Sequence, residues 1–169
     1  MRGRRGGFIR VRARCIAIDA SGRLLVQITP DGHAEIPGGR LEYEESIPFC
    51  LVREMAEEAG VTAEPRELIY VVEFRGVRKG RRRHEILFYF KCNIRGEPHQ
   101  KERGLRFEWL RPEDLSREAF WPPQLLEYLQ SDAPYFPFVR YLSIVDDRVE
   151  YILSRRASPT EAREAQHLP

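Results

Sequence analysis

The stretch from residue 46 to 60 carries helix signals at both ends, and it limits what the rest of the chain can be. Ser46 is a capping residue, Pro48 sits in the first turn where its missing N–H is not needed, and Gly60 supplies a stop. On both sides the apolar residues repeat with period two instead. Val11, Ala13, Cys15 and Ala17 alternate with Arg10, Arg12, Arg14 and Ile16, which predicts a half-buried strand with an arginine-lined outer face. Further strands are expected at 24–29, 34–36, 68–74, 85–92 and 105–110. Ser21-Gly22 and Pro30-Asp31-Gly32 read as turns, and Pro37-Gly38-Gly39 as the stop after the third strand. Residues 112–115 and 123–130 suggest short helices, and 138–145 with 149–153 a hairpin around Asp146-Asp147. Strand neighbours close in sequence, with helices interspersed, favour α+β over a doubly wound parallel sheet.

With 169 residues, one domain spanning 1–153 is expected, with an extension from about 131 and a polar, flexible tail at 154–169. Cys15, Cys50 and Cys92 are an odd count without a CxxC pair, so they read as reduced thiols, which together with the absence of a leader or membrane-length apolar run implies a cytoplasmic protein. The net charge of +2 points to no partner, but its distribution is uneven. Arginines crowd the start (Arg2, Arg4, Arg5, Arg10, Arg12, Arg14) and a loop expected at 76–84, which holds Arg78, Lys79, Arg81, Arg82 and Arg83. An acidic cluster lies between them in sequence, at 42–58. That arrangement suits a phosphorylated ligand together with a metal ion.

On a helix, Glu54, Glu57 and Glu58 share one side, while Leu51, Val52, Met55, Ala56 and Ala59 form the other. Like charges so placed repel, and a hard divalent cation such as Mg²⁺ or Mn²⁺ would reverse the sign. Gly38-Gly39 allows close approach of the backbone to a ligand, and the helix start behind it favours an anion. Taken singly these features also fit an ordinary solvated helix face and turn, and Glu45 with Arg53 an ordinary surface pair.

The whole array resembles the Nudix box: Gly39, five residues, Glu45, seven residues, Arg53-Glu54, Met55, one residue, Glu57-Glu58, one residue, Gly60 and Val61. Pro37-Gly38 ahead of it, and Trp109-Leu110 before residues 112–115, also resemble that family, so the likeness covers about 10–130. The resemblance implies a mixed β-sheet flanked by helices, an α/β/α sandwich. It implies Glu54, Glu57, Glu58 and the Gly38 carbonyl as metal ligands, with Mg²⁺ or Mn²⁺ as cofactor. Gly39, Glu45, Arg53 and Gly60 become structural, Glu45 and Arg53 holding the loop against the helix. The implied reaction is hydrolysis of a phosphoanhydride bond in a nucleoside diphosphate linked to another moiety, by a metal-activated water. For the general base Glu102 is the candidate, with Glu108 and Glu85 as rivals; Arg81, Arg82 and Arg83 are expected to bind substrate.

The chain departs from the family at Glu44, where glycine is common, and at Pro48-Phe49-Cys50, where small residues are common. Markers of a particular substrate are absent: Val77 stands near the place of a proline found in enzymes selective for ADP-ribose, and Tyr70 is near, but not at, the place of a tyrosine marking dinucleoside polyphosphate hydrolases. His33 and His84 read as structural or solvated, Trp121 as packing, and Phe74, Phe88 and Phe90 as core. A small-molecule nucleotide is the expected partner, no membrane is implied, and a homodimer is left open. The competing readings are an RNA 5′-end pyrophosphohydrolase and a Nudix-like regulatory protein that binds a nucleotide or RNA without cleaving it.

Overall fold

The computed structural model describes residues 8–101 and 103–156. Among the described residues nine strands form two sheets, and two α-helices pack on them. Strands β1 (Arg10–Ile16), β4 (Gly38–Arg40), β5 (Thr62–Arg78), β6 (Arg81–Arg95), β8 (Phe138–Val145) and β9 (Arg148–Arg156) make a six-stranded sheet in the order β4-β1-β6-β5-β8-β9. It is mixed: β1 runs parallel to β6 and β5 parallel to β8, the other pairs being antiparallel. A smaller antiparallel sheet, β3-β2-β7, contains Ala34–Glu35, Leu24–Ile28 and Arg106–Leu110. This is the α+β architecture expected from the alternation of strand and helix signals.

The two faces of the large sheet are covered differently. Helix α1 (Ile47–Glu54) and the turn after it pack Leu51, Met55 and Ala59 on Ala13, Cys15 and Ala63. On the opposite face Ile16, Tyr70, Val72, Leu87 and Tyr89 meet β2 and helix α2 (Leu126–Asp132). Phe74 is in this core, whereas Phe88 and Phe90 are half-buried on the other side, because Leu87 and Tyr89 are the inward residues of β6. All three cysteines are buried free thiols. Among the described residues no helix is long and apolar enough to cross a membrane.

Three local readings change. The third strand ends before Pro37, as expected, but Gly38-Gly39 then forms a strand of its own: β4 pairs with β1, matching Arg14 to Gly38 and Ala13 to Gly39. A Cβ on Gly38 would lie 2.1 Å from the Ala13 carbonyl oxygen, so only glycine fits this approach. The basic segment 76–84 is not an open loop either. Both strands run on to Arg78↔Arg81, and Lys79 and Gly80, at φ 51° and 70°, form a two-residue hairpin turn whose twist matches that of the strands. Finally, the arginine face of β1 turns inward, with Arg14 only 2% exposed, because Glu35 and Glu85 neutralise it there. The expected C-terminal hairpin is present with β9 extending to Arg156, and residues 157–169 lie outside the described set.

The C-terminal hairpin is tied to α2 by Asp132. Its carboxylate accepts two hydrogen bonds from Arg140, each 2.8 Å, and one from the Tyr70 hydroxyl, also 2.8 Å. Burial alone would raise this carboxyl's pKa, but the Arg140 and Tyr70 contacts outweigh it and hold it below its ordinary value. Asp132→Ala is expected to lower stability by about 2–3 kcal/mol, somewhat under the loss for a fully buried pair because Arg140 keeps some solvent contact. A carboxyl with a depressed folded-state pKa stabilises above its unfolded value and loses that effect as pH falls. The gap between the wild type and Asp132→Asn should therefore shrink below about pH 4, as checked by urea denaturation at pH 7 and pH 3.

Candidate active site

Ser46 begins α1 with extended backbone, and its hydroxyl accepts the Phe49 N–H at 3.3 Å. After Glu54 the helix widens into a π turn, Met55–Ala59, in which the Gly60 N–H reaches back to the Met55 carbonyl. Gly60 ends it at φ 68°, and a Cβ there would meet the His99 ring at 2.2 Å.

Arg53 is the hub of this segment. Its guanidinium donates to both Glu45 oxygens at 3.0 and 2.7 Å, to Glu54 at 3.1 Å, to Glu57 at 3.2 Å and to the Arg40 carbonyl at 3.1 Å. Glu45 also accepts the Glu42 N–H at 2.7 Å, so the loop before α1 is fastened to the helix. The Arg53 bonds above all hold the Glu45 carboxyl down at about 2.

The three glutamates expected to act together separate into two groups. Glu54 and Glu58 line a cavity of about 500 Å³ together with Gly38 and Gly39. Glu57 does not line it; its side chain is 61% exposed and turned to Arg53. Among the described residues no three acidic, histidine or cysteine side chains gather as a closed metal cage. Glu54 is half-buried, and burial first, with the nearby Glu57 charge adding and Arg53 opposing, raises its pKa. Its carboxylate occupies the room that a Gly39 side chain would take, since a Cβ there would fall 2.0 Å from the carboxyl carbon.

The rest of the cavity comes from strands outside the box. Arg12 and Arg14 project from β1, Gln27 from β2, Glu35 from β3, Arg78 and Lys79 from the end of β5, and Arg83 and Glu85 from β6. Glu35 pairs with Arg14 at 2.9 Å and with Arg78. Burial would raise its pKa, but these two cations outweigh it and lower it. Glu85 has Arg10, Arg12 and Arg78 within 3.7–3.9 Å. Buried Arg12 Nε, Gln27 Oε1 and Glu85 Oε2 have no hydrogen-bond partner, and all three residues line the cavity. The signal that could have found the arginines was their shared parity along β1; nothing in the sequence marked Glu35.

Of the expected substrate arginines, Arg83 lines this cavity, Arg82 lines a neighbouring groove, and Arg81 is exposed and lines neither. Glu108 pairs with Arg106 outside the cavity, and Glu102 lies outside the described residues. His84 pairs with Glu73 at 2.8 Å and His33 lies 3.6 Å from Asp31. Trp121 packs edge-on against Phe74 and carries the Arg78 guanidinium 3.5 Å above its ring.

The family model described as the NUDIX domain matches residues 9–131. The chain belongs to the Nudix hydrolase family. A MutT-like protein from Streptomyces ambofaciens is 28% identical over 124 residues, covering 71% of this chain and 77% of that protein. The mutator MutT protein from Bacillus halodurans shares the fold with a TM-score of 0.67 at 21% identity, covering 86% of this chain and 97% of that one. An ADP-ribose pyrophosphatase from Streptococcus suis superimposes with a TM-score of 0.58 at 15% identity, over 81% of this chain and 98% of its own. The Nudix box thus corresponds to β4, α1 and the π turn, and the C-terminal hairpin lies beyond the matched region.

Gly39→Ala tests the Glu54 position without altering a charge. Displacing a reacting or binding group by about 1 Å can lower a rate about a hundredfold, so hydrolytic turnover should fall by that order. The circular dichroism spectrum should be kept, and an unaltered rate would show that Glu54 has no role where it sits.

Proposed function

We propose that this Nudix hydrolase cleaves a phosphoanhydride bond in a nucleoside diphosphate linked to another moiety, with Mg²⁺ or Mn²⁺. The observation that carries this reading is the single cavity in which box residues Gly38, Glu54 and Glu58 meet Arg12, Arg14, Arg78 and Arg83. Its lining holds seven cationic side chains (Arg12, Arg14, Arg40, Arg78, Lys79, Arg83, Arg103) against four carboxylates (Glu35, Glu54, Glu58, Glu85), an excess of three positive charges that suits a diphosphate.

The donor set fits a hard cation. Mg²⁺ is commonly held by one or two carboxylates with substrate phosphates completing the shell, so a closed protein cage is not required. Glu54 and Glu58 would be the carboxylate ligands, with the Gly38 carbonyl and with Glu57 once its side chain leaves Arg53. When bound, the cation neutralises phosphate charge and lowers the pKa of the attacking water. The chain's own groups do the rest. Arg12 and Arg83 face the phosphates, and Glu35 and Glu85 fix the arginine array from behind. Glu102 is proposed as the general base; Lys101, which precedes it, is anchored on the box through its N–H to the Glu58 carbonyl at 3.2 Å and its ammonium to the Ala56 carbonyl at 3.0 Å.

The test is a panel of nucleoside diphosphate derivatives, nucleoside triphosphates and 5′-triphosphorylated RNA, with product analysis in Mg²⁺, Mn²⁺ and chelator. Turnover should require the metal and fall at least about a hundredfold in Glu58→Gln. A fully active Glu58→Gln, or metal-independent turnover, would overturn the reading; preference for the RNA would move it to the competing class. Arg83→Gln should raise KM and leave kcat nearly unchanged, the pattern of lost uniform binding, whereas Arg81→Gln should alter neither.

A further inference from the structure

Among the described residues the two sheets end in four edge strands, and three of these are protected. β3 and β4 are two and three residues long, too short to template a partner. β7 has five residues, and Arg106 and Glu108 put charge along it. β9 differs. It runs for nine residues beyond the region matched by the family model, and Val149 alone among them is half-buried, the rest being exposed. At its centre Tyr151, Ile152 and Leu153 follow one another without a charge or a proline. β8 pairs with one side of its backbone, and the groups on the other side face away from the sheet. A long edge with an apolar centre is a template for a further strand.

Charge decides which strand fits. At the turn end three acids, Asp146, Asp147 and Glu150, outweigh the single Arg148 by two charges, and at the far end Arg155 and Arg156 carry two positive ones. A strand laid antiparallel on this edge has to bring acid to the far end and arginine to the turn. A second β9, related by a two-fold axis, does both at once. Charge also selects the register. The ladder from β9 to β8 is regular from Tyr151 to Arg156 and is broken by a bulge at Glu150. Pairing centred on Leu153 stays within the regular part, sets Leu153 on its own copy and puts Tyr151 opposite Arg155. Centred on Ile152 it would set Arg148 against Arg156, and like charges directly opposed destabilise a strand pair.

We infer that two copies of this chain join edge to edge through β9, antiparallel about Leu153, so that their six-stranded sheets become one continuous sheet. A single pair of strands is a small contact beside the roughly 1,200–2,000 Å² of a stable interface, so the dimer is reversible and dissociates on dilution. No residue of β8 or β9 lines the box cavity, and each copy keeps its own site open.

Sedimentation equilibrium of the full chain, over a series from micromolar to near-millimolar protein, tests it. The mass should rise from one chain to two and stop there. Leu153→Lys opposes like charges at the centre and should raise the dissociation constant about tenfold or more. That side chain is 56% exposed, so the variant should melt with the wild type. Two cysteine variants read the register. Residues directly opposite have Cα atoms about 4.5–5.5 Å apart, within disulfide range, so Leu153→Cys should crosslink two chains under glutathione disulfide. The native cysteines are buried and should not compete. Ile152→Cys, roughly 7–8 Å from its own copy in this register, should stay uncrosslinked. A chain that is monomeric throughout the series would overturn the inference. So would assembly beyond two chains, a dimer indifferent to Leu153→Lys, or crosslinking at 152 in place of 153.

Discussion

Glu35 stands between Arg14 and Arg78, and the position of the two sheets at the site depends on that arrangement. Glu35 belongs to the small sheet, while the arginines come from β1 and β5 of the large one. A buried charge is tolerated only when it is paired, and removing either sign would leave the other without compensation in a region where Arg14 is 2% exposed. The charges thus do what apolar contacts do elsewhere in the core: they fix one sheet against the other. They also leave a cavity lined with guanidinium groups that have already lost most of their water.

Arg53 plays the corresponding part on the box. Acidic residues crowded on one turn repel, and the α-to-π transition places Glu54 and Glu58 at the cavity with Glu57 beside them. A single guanidinium contacts Glu45, Glu54 and Glu57, which offsets the repulsion from one flank and leaves the other flank to the cavity. The same side chain holds the preceding loop through Glu45 and the Arg40 carbonyl, so the loop and the carboxylates share one anchor.

Much of this was legible because it is local. The Ser46 cap, the Gly60 stop and the spacing of the glutamates depend on residues within one or two turns, and periodicity reports them directly. Parity along β1 identified a charged face but not its direction. A row of arginines on a strand reads as solvent-facing by default, and only the arrival of Glu35 and Glu85 from other strands turns that face inward. The basic segment 76–84 reads as a loop for a related reason. Charged residues there do not interrupt a strand when the turn is carried by Lys79-Gly80 alone.

The sequence by itself determined the α+β class, the box helix with its caps, and the family, because each rests on short-range spacing. The tertiary structure decided the rest. It selected Arg83 over Arg81 for the cavity, turned Glu57 toward Arg53, and brought Arg12, Arg14, Arg78 and Glu85 to one site. Those choices depend on which strands become neighbours and how their faces are covered. Pairing β1 with β6, and packing β3 beside them, joins residues dozens of positions apart through contacts that no local pattern encodes.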